Sequence, residues 1–400
     1  MQLKKCILIA PLVSHATAGR IAALAATGYQ VTLIDISGRD NAFSTSLYPY
    51  SLLYKIHKLD ITKIDPFYIR PSIQLIIKDI LRSFNVVNEN KIITDKLKKI
   101  LSEENPDIIV TFYGPLGIHF SRLIKKISVK QKVVFIANLL PSTVLSGNTI
   151  IRCLKRNLVN EFIDFKRWIK KLDTIVCASD EMADFIVRKF KYSRNRLLIA
   201  PDYHPASFQL NLKITAEISS KPLSLIFLGA PERWGGRIDN IDKQLNLYSS
   251  LVAVHASASI ERDNDSIWHT YPYFTDDEVF TGKLSDYAHG FTAALVTYNI
   301  TRRSERFRTT LPTRFFSALA AGLPIALKGG LFDAVESFIK TNDIGFVFYS
   351  QQELFDKLND TDKLKQQKEN VVKMLSDFSA EKQAKIFNDL FDGLLFNKQI

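Results

Sequence analysis

The chain alternates short runs of apolar, often β-branched residues with stretches that have helical periodicity. In the first half, apolar runs lie at Cys6–Ala10, Val31–Ile36, Asp107–Phe112, Val133–Ala137, Asp173–Ala178 and Arg196–Ala200. Helices are predicted between them, over Gly19–Ala26, Lys91–Glu103, Asn160–Lys171 and Asp180–Lys191. Buried strands that alternate with helices are typical of a parallel sheet covered on both faces, because each crossover packs a helix on the sheet. The pattern therefore predicts an α/β fold.

The second half repeats this alternation. Strands are predicted at Leu223–Leu228, Leu251–His255, Glu278–Phe280, Ala293–Thr297 and Pro324–Leu327. A polar stretch without strong periodicity, 206–220, has the character of an interdomain linker. We therefore expect two facing Rossmann-like, doubly wound domains over 1–205 and 221–375, followed by a C-terminal helix over 376–400. Ligands of such sheets bind at the carboxyl ends of the strands.

Positive charge is concentrated in the first half. The chain has 53 Lys and Arg against 41 Asp and Glu; residues 1–200 contain 31 and 16 of these, and residues 201–400 contain 22 and 25. A basic surface suits anionic lipid, a phosphorylated substrate or nucleic acid, although a solvated lysine-rich face also explains it. No nucleic-acid partner is expected, because no helix-turn-helix, zinc or RNP-like pattern accompanies the charge.

Cysteine content and hydropathy indicate the compartment. The three cysteines lie far apart in sequence, so a disulfide framework is not expected and a reducing cytosol is favoured. No stretch approaches the ~18–20 apolar residues that span a bilayer. Lys4-Lys5 with Cys6–Val13 resembles a signal peptide, but the short apolar run suits a buried first strand better. We expect a cytoplasmic protein, peripheral at the inner face of the membrane.

The segment 311–327, LPTRFFSALAAGLPIAL, has the most specific pattern in the chain. Pro312 suits the start of a helix, where free N–H groups and the positive end of the helix dipole favour a diphosphate. Arg314 lies in the first turn, where a guanidinium can bind a phosphate through two hydrogen bonds. An ordinary helix, turn and strand with a surface arginine is the alternative interpretation.

This segment resembles the signature of bacterial glycosyltransferases of the GT-B fold, especially the family-4-like group. Further similarity lies at LIFLGA (225–230), in the elements 279–287 and 294–299, and in the first half at 173–179 and 195–202. The resemblance implies transfer of a sugar from a nucleotide-sugar, a UDP-sugar, to a lipid-linked or envelope polysaccharide acceptor. No cofactor is implied, since the nucleotide-sugar is a substrate.

The resemblance also implies which residues contact the donor: Gly229, Ala230, Arg233, Arg237, Thr281, Thr313, Arg314 and Ser317. Retaining members of the family carry two glutamates eight positions apart, and Thr309 and Ser317 occupy those places here. This departure favours an inverting, metal-independent relative similar to the bacterial exopolysaccharide glucuronosyltransferases. A non-catalytic nucleotide-sugar-binding subunit and a nucleotide-sugar epimerase remain alternatives.

An inverting transfer needs a general base near the acceptor hydroxyl. His15 follows the first strand and is the first candidate, with Asp164 as the second, although a locally bonded turn histidine and a charged helix face explain them as well. His119 and Asn138, near the ends of later strands, are candidates for acceptor or sugar contacts. Asp263-Asn264-Asp265 has the spacing of a metal site, but a polar loop explains it better, so no metal is expected.

Overall fold

The computed structural model describes residues 4–11, 15–37, 47–59, 77, 80–82, 90–112, 114–128, 130–137, 165–212, 223–229, 241–258, 260, 263–298 and 305–396. The chain divides into two compact units. Unit 1 comprises Met1–Pro201 together with Gln383–Ile400, and unit 2 comprises Asp202–Lys382.

Unit 1 is built on a parallel sheet of seven strands, in the order β3-β2-β1-β4-β5-β6-β7. The strands are β1 Lys5–Ala10, β2 Gln30–Asp35, β3 Lys55–Lys58, β4 Ile108–Phe112, β5 Lys132–Ala137, β6 Thr174–Cys177 and β7 Leu197–Ile199. The helices are α1 His15–Ala25, α2 Lys91–Glu104, α3 Gly114–Ile127 and α4 Asp180–Phe190. The central strands are almost wholly buried, as expected for a sheet with helices on both faces.

Unit 2 contains a second parallel sheet of six strands, in the order β10-β9-β8-β11-β12-β13. Its strands are β8 Ser224–Phe227, β9 Ala253–Ser257, β10 His269–Tyr271, β11 Ala293–Val296, β12 Ile325–Lys328 and β13 Gly345–Phe348. Its helices are α5 Ile241–Ser249, α6 Asp276–Phe280, α7 Lys283–His289, α8 Glu305–Thr309, α9 Thr313–Ala320, α10 Asp333–Asn342, α11 Gln351–Asn359 and α12 Thr361–Met374. In the first sheet β1 lies beside β4, and in the second sheet β8 lies beside β11. The strand order of each sheet reverses at that pair of strands.

The prediction of a strand at Glu278–Phe280 is wrong, since these residues end helix α6. Thr275 caps this helix: its hydroxyl accepts from the backbone N–H of Glu278, and the Glu278 carboxylate accepts from the backbone N–H of Thr275. Such a capping box and the acidic first turn favour a helix over an extended chain. The sequence interpretation also missed the edge strands β10 and β13.

The end of the chain returns to unit 1. The C-terminal helix, α13, covers Ala384–Phe396 and begins later than the expected position 376, because turns and bends over 375–380 and a 3₁₀ turn, Glu381–Gln383, precede it. Residues 397–400 lie outside the described part of the chain. Lys4 Nζ lies 2.7 Å from a carboxylate oxygen of Asp392, and the Phe391 ring packs edge-on against Tyr29. The apolar face of α13 is thus buried against unit 1.

The residues near the division between the units pack on unit 2. The backbone N–H of Leu210 donates to the carbonyl oxygen of Ala320 over 2.7 Å, and the Ser285 hydroxyl donates to the carbonyl oxygen of Phe208. The units divide between Pro201 and Asp202, and of the expected linker, 206–220, the structure describes only residues 206–212.

Candidate functional site

The candidate site of unit 2 lies where β8 and β11 end, beside the point of strand-order reversal. Gly229 follows β8 with φ +93°, a left-handed conformation that glycine adopts without strain. A Cβ atom at this position would lie 3.8 Å from Cγ and Nε of Arg314. The glycine turn therefore packs directly on the arginine that the sequence predicted as a donor contact.

Arg314 lies in the first turn of α9, after Pro312 at the N-cap. Its side chain is only 4% exposed. The guanidinium carbon lies 4.4 Å from the centre of the Phe227 ring and 4.5 Å from that of Tyr298. Two aromatic rings at such distances fix a guanidinium and stabilise its charge through cation–π contacts. The structure thus holds a positive charge in a poorly hydrated place beside the Gly229 turn.

Tyr271, at the end of β10, completes the polar surroundings of this turn. Burial raises the pKa of Tyr271 to about 12, although the backbone of Gly229, the charge of Arg314 and the hydroxyl of Ser257 each act to lower it. The phenol therefore stays protonated at neutral pH. A hydroxyl, a backbone turn and a guanidinium converge here, which suits the recognition of an anionic oxygen.

Ser317 lies one turn after Arg314 and contacts a buried histidine. Its hydroxyl donates to the carbonyl oxygen of Thr313 over 3.2 Å and therefore accepts from Nε2 of His204, 3.1 Å away. His204 is 4% exposed and packs against the rings of Phe208 and Phe316. This contact fixes Ser317, which occupies the place of a family glutamate.

The other glutamate place, Thr309, is buried at the end of α8. The neighbouring Arg308 forms an ion pair with Asp333, its Nη2 lying 2.6 Å from a carboxylate oxygen. Since Thr309 and Ser317 have hydroxyl and not carboxyl groups, neither of the two family glutamates has a counterpart here.

Of the five remaining predicted donor contacts, two are exposed and three lie outside the described residues. Thr313 is exposed at the start of α9. Thr281 is exposed after α6, and its hydroxyl donates to the carbonyl oxygens of Asp277 and Glu278. Ala230, Arg233 and Arg237 lie outside the described residues.

In unit 1, the described part of the chain includes two of the four predicted residues, His15 and His119. His15 begins α1, but its side chain lies outside the described part of the structure, as do Asp164 and Asn138. His119 is buried on α3, and its Nδ1 lies 3.0 Å from Nη2 of Arg122. A guanidinium only donates, so Nδ1 accepts and carries no proton. His119 is thus oriented by a buried arginine.

Two kinds of feature are absent from the described residues, a cluster of metal ligands and a membrane-spanning helix. Among them, no group of three or more His, Cys, Asp or Glu side chains is arranged to hold a metal ion. In the same part of the chain, no helix combines the length and apolarity that a membrane crossing requires.

The sequence interpretation missed four residues of this site: Phe227, Tyr271, Tyr298 and His204. Tyr298 lies two residues after β11, and an aromatic residue just after a buried strand next to the reversal point is a usable signal. No local pattern in the sequence indicates the role of His204, because its contact with Ser317 joins positions 113 residues apart.

Comparisons with known proteins show the fold. No protein-family model and no curated protein matches the chain. A sucrose-phosphate synthase from Thermosynechococcus elongatus matches with a TM-score of 0.68 and 12% identity, over 99% of this chain and 100% of that chain. A glycosyltransferase from Rickettsia africae matches with a TM-score of 0.59 and 12% identity, over 99% and 100%. An α,α-trehalose-phosphate synthase (UDP-forming) from Burkholderia vietnamiensis matches with a TM-score of 0.57 and 10% identity, over 98% and 99%.

These solved structures are GT-B glycosyltransferases, and the chain has their fold. The prediction of two Rossmann-like, doubly wound domains with a C-terminal helix is confirmed.

Proposed function

We propose that the protein is a glycosyltransferase that transfers a sugar from a UDP-sugar to a lipid-linked or envelope polysaccharide acceptor. The observation that carries the proposal is the Arg314 guanidinium, held between Phe227 and Tyr298 directly beside the Gly229 turn. A fixed charge in a poorly hydrated place stabilises an anion more strongly than the same charge in water. The diphosphate of the donor is the ligand proposed for this edge of the sheet.

The start of α9 supports the same position for the donor. Backbone N–H groups in the first turn of a helix have no partner within the helix, and they favour anionic ligands together with the helix dipole. Thr313 and Ser317 add hydroxyls on this helix, and Thr281, Ala230, Arg233 and Arg237 are the further donor contacts that the sequence suggests. The choice of UDP is supported by the name of the Burkholderia enzyme, which is called UDP-forming.

The proposed reaction is an inverting, metal-independent displacement. The acceptor hydroxyl attacks the anomeric carbon as the bond from that carbon to the diphosphate oxygen breaks, and a general base removes the hydroxyl proton. His15 or Asp164 is proposed as the base, and His119 and Asn138 as acceptor or sugar contacts. Arg314 and the Gly229 turn would stabilise the negative charge that develops on the leaving diphosphate. Thr309 and Ser317, which bring no carboxylate, support inversion.

The acceptor and the location are proposed from charge. The excess of Lys and Arg in residues 1–200 supports a cytoplasmic protein held at the inner face of the membrane, where a lipid-linked acceptor is presented. The similarity to family-4-like enzymes and exopolysaccharide glucuronosyltransferases supports the same acceptor class.

A second candidate is a nucleotide-sugar-binding subunit without catalysis. The absence of a carboxylate at Thr309 and Ser317 favours it, because both family glutamates are replaced. The two candidates share a donor site and differ only in turnover.

A panel of nucleoside diphosphates and their sugars tests the proposal by thermal shift and calorimetry. We expect UDP and one UDP-sugar to raise the melting temperature, and Arg314→Lys to weaken UDP binding about 10- to 100-fold through loss of a charge-assisted hydrogen bond. Arg194→Lys, an exposed arginine paired with Asp180 in unit 1, is the matched control. If no nucleotide stabilises the protein, the donor site is wrong. If UDP binds but no acceptor mixture yields UDP from the UDP-sugar, the binding subunit is favoured.

A further inference from the structure

Three basic segments of unit 1 meet at the edge of the sheet where the strands begin. They are 125–132, at the end of α3 and the start of β5; 166–173, before β6; and 191–196, before β7. We call this surface the amino-edge cluster. Its sequence contains eleven Lys and Arg and a single acidic residue: Lys125, Lys126, Lys130, Lys132, Lys166, Arg167, Lys170, Lys171, Lys191, Arg194 and Arg196 against Asp173.

Asp173 joins the first two segments. One of its carboxylate oxygens lies 2.6 Å from Nζ of Lys125 and accepts from the backbone N–H of Val133. The other oxygen lies 3.9 Å from Nζ of Lys132. One carboxylate therefore compensates two lysines, Lys125 at the end of α3 and Lys132 at the start of β5, and a second carboxylate, that of Asp180, lies 2.7 Å from Arg194. The eleven basic residues outnumber these two carboxylates, so the surface carries a net positive charge.

The third segment packs on the second. Arg196 donates from Nε to the carbonyl oxygen of Asp173 over 3.2 Å and from Nη2 to that of Leu172. Its guanidinium lies 5.0 Å from the Tyr192 ring centre. These contacts bring Lys191 and Arg194 to the same edge of the sheet as Lys170 and Lys171.

Not all of these charges serve the fold. Lys125 and Arg196 bond backbone carbonyls or Asp173, so they stabilise unit 1. Lys130, Lys170 and Lys191 are exposed, and among the described residues their Nζ atoms form no hydrogen bond or ion pair. A fold-stabilising role does not explain these three lysines.

The position of the cluster separates it from the reactants. Ligands of parallel α/β sheets bind at the carboxyl ends of the strands, and the cluster lies at the amino ends. Since β5 has six residues, the opposite edge is about 20 Å away. The charge therefore does not serve a phosphorylated acceptor bound at the carboxyl edge, and an anionic partner bound at the cluster leaves that edge open.

The chemistry of the cluster favours a lipid surface over nucleic acid. Eight of its eleven cations are lysines, which are flexible, hydrated point charges suited to a diffuse layer of headgroups. The aromatic rings within it, Trp168 and Tyr192, are both only 3% exposed. They present no surface on which bases could stack.

We propose that the amino-edge cluster is the surface by which the protein binds an anionic membrane leaflet. The proposal rests on the membrane association in the proposed function and assigns it to named residues. Vesicle binding is measured without donor or acceptor, so its failure leaves the proposed sugar transfer untouched.

The test is flotation with phosphatidylglycerol–phosphatidylcholine vesicles and with pure phosphatidylcholine vesicles. We expect binding only to the anionic vesicles, weakening steeply as salt is raised. The triple substitution Lys130→Gln, Lys170→Gln and Lys191→Gln should lower vesicle affinity about 100-fold, at the usual contribution of each cation near a charged surface. The matched control replaces Lys340, Lys365 and Lys382 of unit 2, which are also exposed, by Gln.

Two results would overturn the proposal. One is a triple variant that binds anionic vesicles as tightly as the wild type or the unit 2 control. The other is a wild-type protein that binds duplex DNA or RNA more tightly than anionic vesicles at the same salt concentration, which would assign the cluster to nucleic acid. Urea unfolding of each variant verifies that the fold is retained.

Discussion

The guanidinium carbon of Arg314 lies 4.5 Å from the centre of the Tyr298 ring, with the Phe227 ring on another side at 4.4 Å. Tyr298 lies two residues after the end of β11, and Arg314 is the second residue of α9, the second helix after this strand. The pair therefore links the two ends of the connection between β11 and α9, beside the Gly229 turn.

We predict that Arg314 and Tyr298 are energetically coupled. A double-mutant cycle of Arg314→Met and Tyr298→Leu should give a coupling free energy of about 1–2 kcal/mol, because a desolvated cation–π contact is worth that much. Each single variant should lower the free energy of unfolding, measured in urea. Purely additive effects of the two substitutions would contradict the prediction. Tyr298→Phe is the control, since it keeps the ring and should preserve most of the coupling.

A second prediction concerns Gly229→Ala. Its φ of +93° strains any other residue, so we expect a loss of stability of about 1 kcal/mol. The turn also contacts Arg314, so UDP binding should weaken markedly in the same variant. Gly28→Ala is the matched control, because Gly28 has φ +79° and nothing within 4 Å of its added Cβ. It should lose similar stability and bind UDP normally; equal UDP affinity in both variants would count against the donor site.

A third prediction tests the contact between His204 and Ser317. Ser317→Ala removes the acceptor of a buried imidazole N–H, which should cost about 1–3 kcal/mol in stability. His204→Phe keeps the packing against Phe208 and Phe316 but removes the donor. After His204→Phe, the further substitution Ser317→Ala should cost much less. Chemical denaturation of the two single variants and the double variant measures this; an undiminished cost in the double variant would exclude the hydrogen bond.

A fourth prediction follows from Lys368 on α12, which donates to the carbonyl oxygens of His289 and Phe291. Burial lowers the pKa of Lys368 from 10.5 to about 8. Between these values the unfolded chain binds the proton more often than the folded chain, so stability rises with pH in this window. Relative to Lys368→Met, the wild type should gain up to about 3 kcal/mol between about pH 7.5 and pH 10.5.

Urea unfolding across this pH range provides the measurement for Lys368. Lys365→Met, an exposed substitution on the same helix, should differ from the wild type by a constant amount. A stability difference for Lys368→Met that also stays constant would show that the ammonium is not desolvated.

The sequence by itself determined the fold class, because strands buried on both faces carry a local signal. The runs at Cys6–Ala10 and Val133–Ala137 are continuous apolar stretches, and they form central strands of the first sheet. The edge strand β10 lacks this signal, because it is only three residues long and mostly exposed, so its apolar content could not identify it. Glu278–Phe280 form the end of a helix because the Thr275 hydroxyl accepts a hydrogen bond from the backbone N–H of Glu278. In a strand, this N–H would be free to bond a neighbouring strand.

The resemblance to GT-B glycosyltransferases predicts Gly229 and Arg314 as donor contacts, and the structure places the two residues side by side. Only the tertiary structure decided that Phe227 and Tyr298 enclose the arginine and that His204 holds Ser317. It also decided that the charge of unit 1 gathers at the amino edge of the sheet. Those relationships join residues that are far apart in the chain and depend on strand order, which no local pattern of residues encodes.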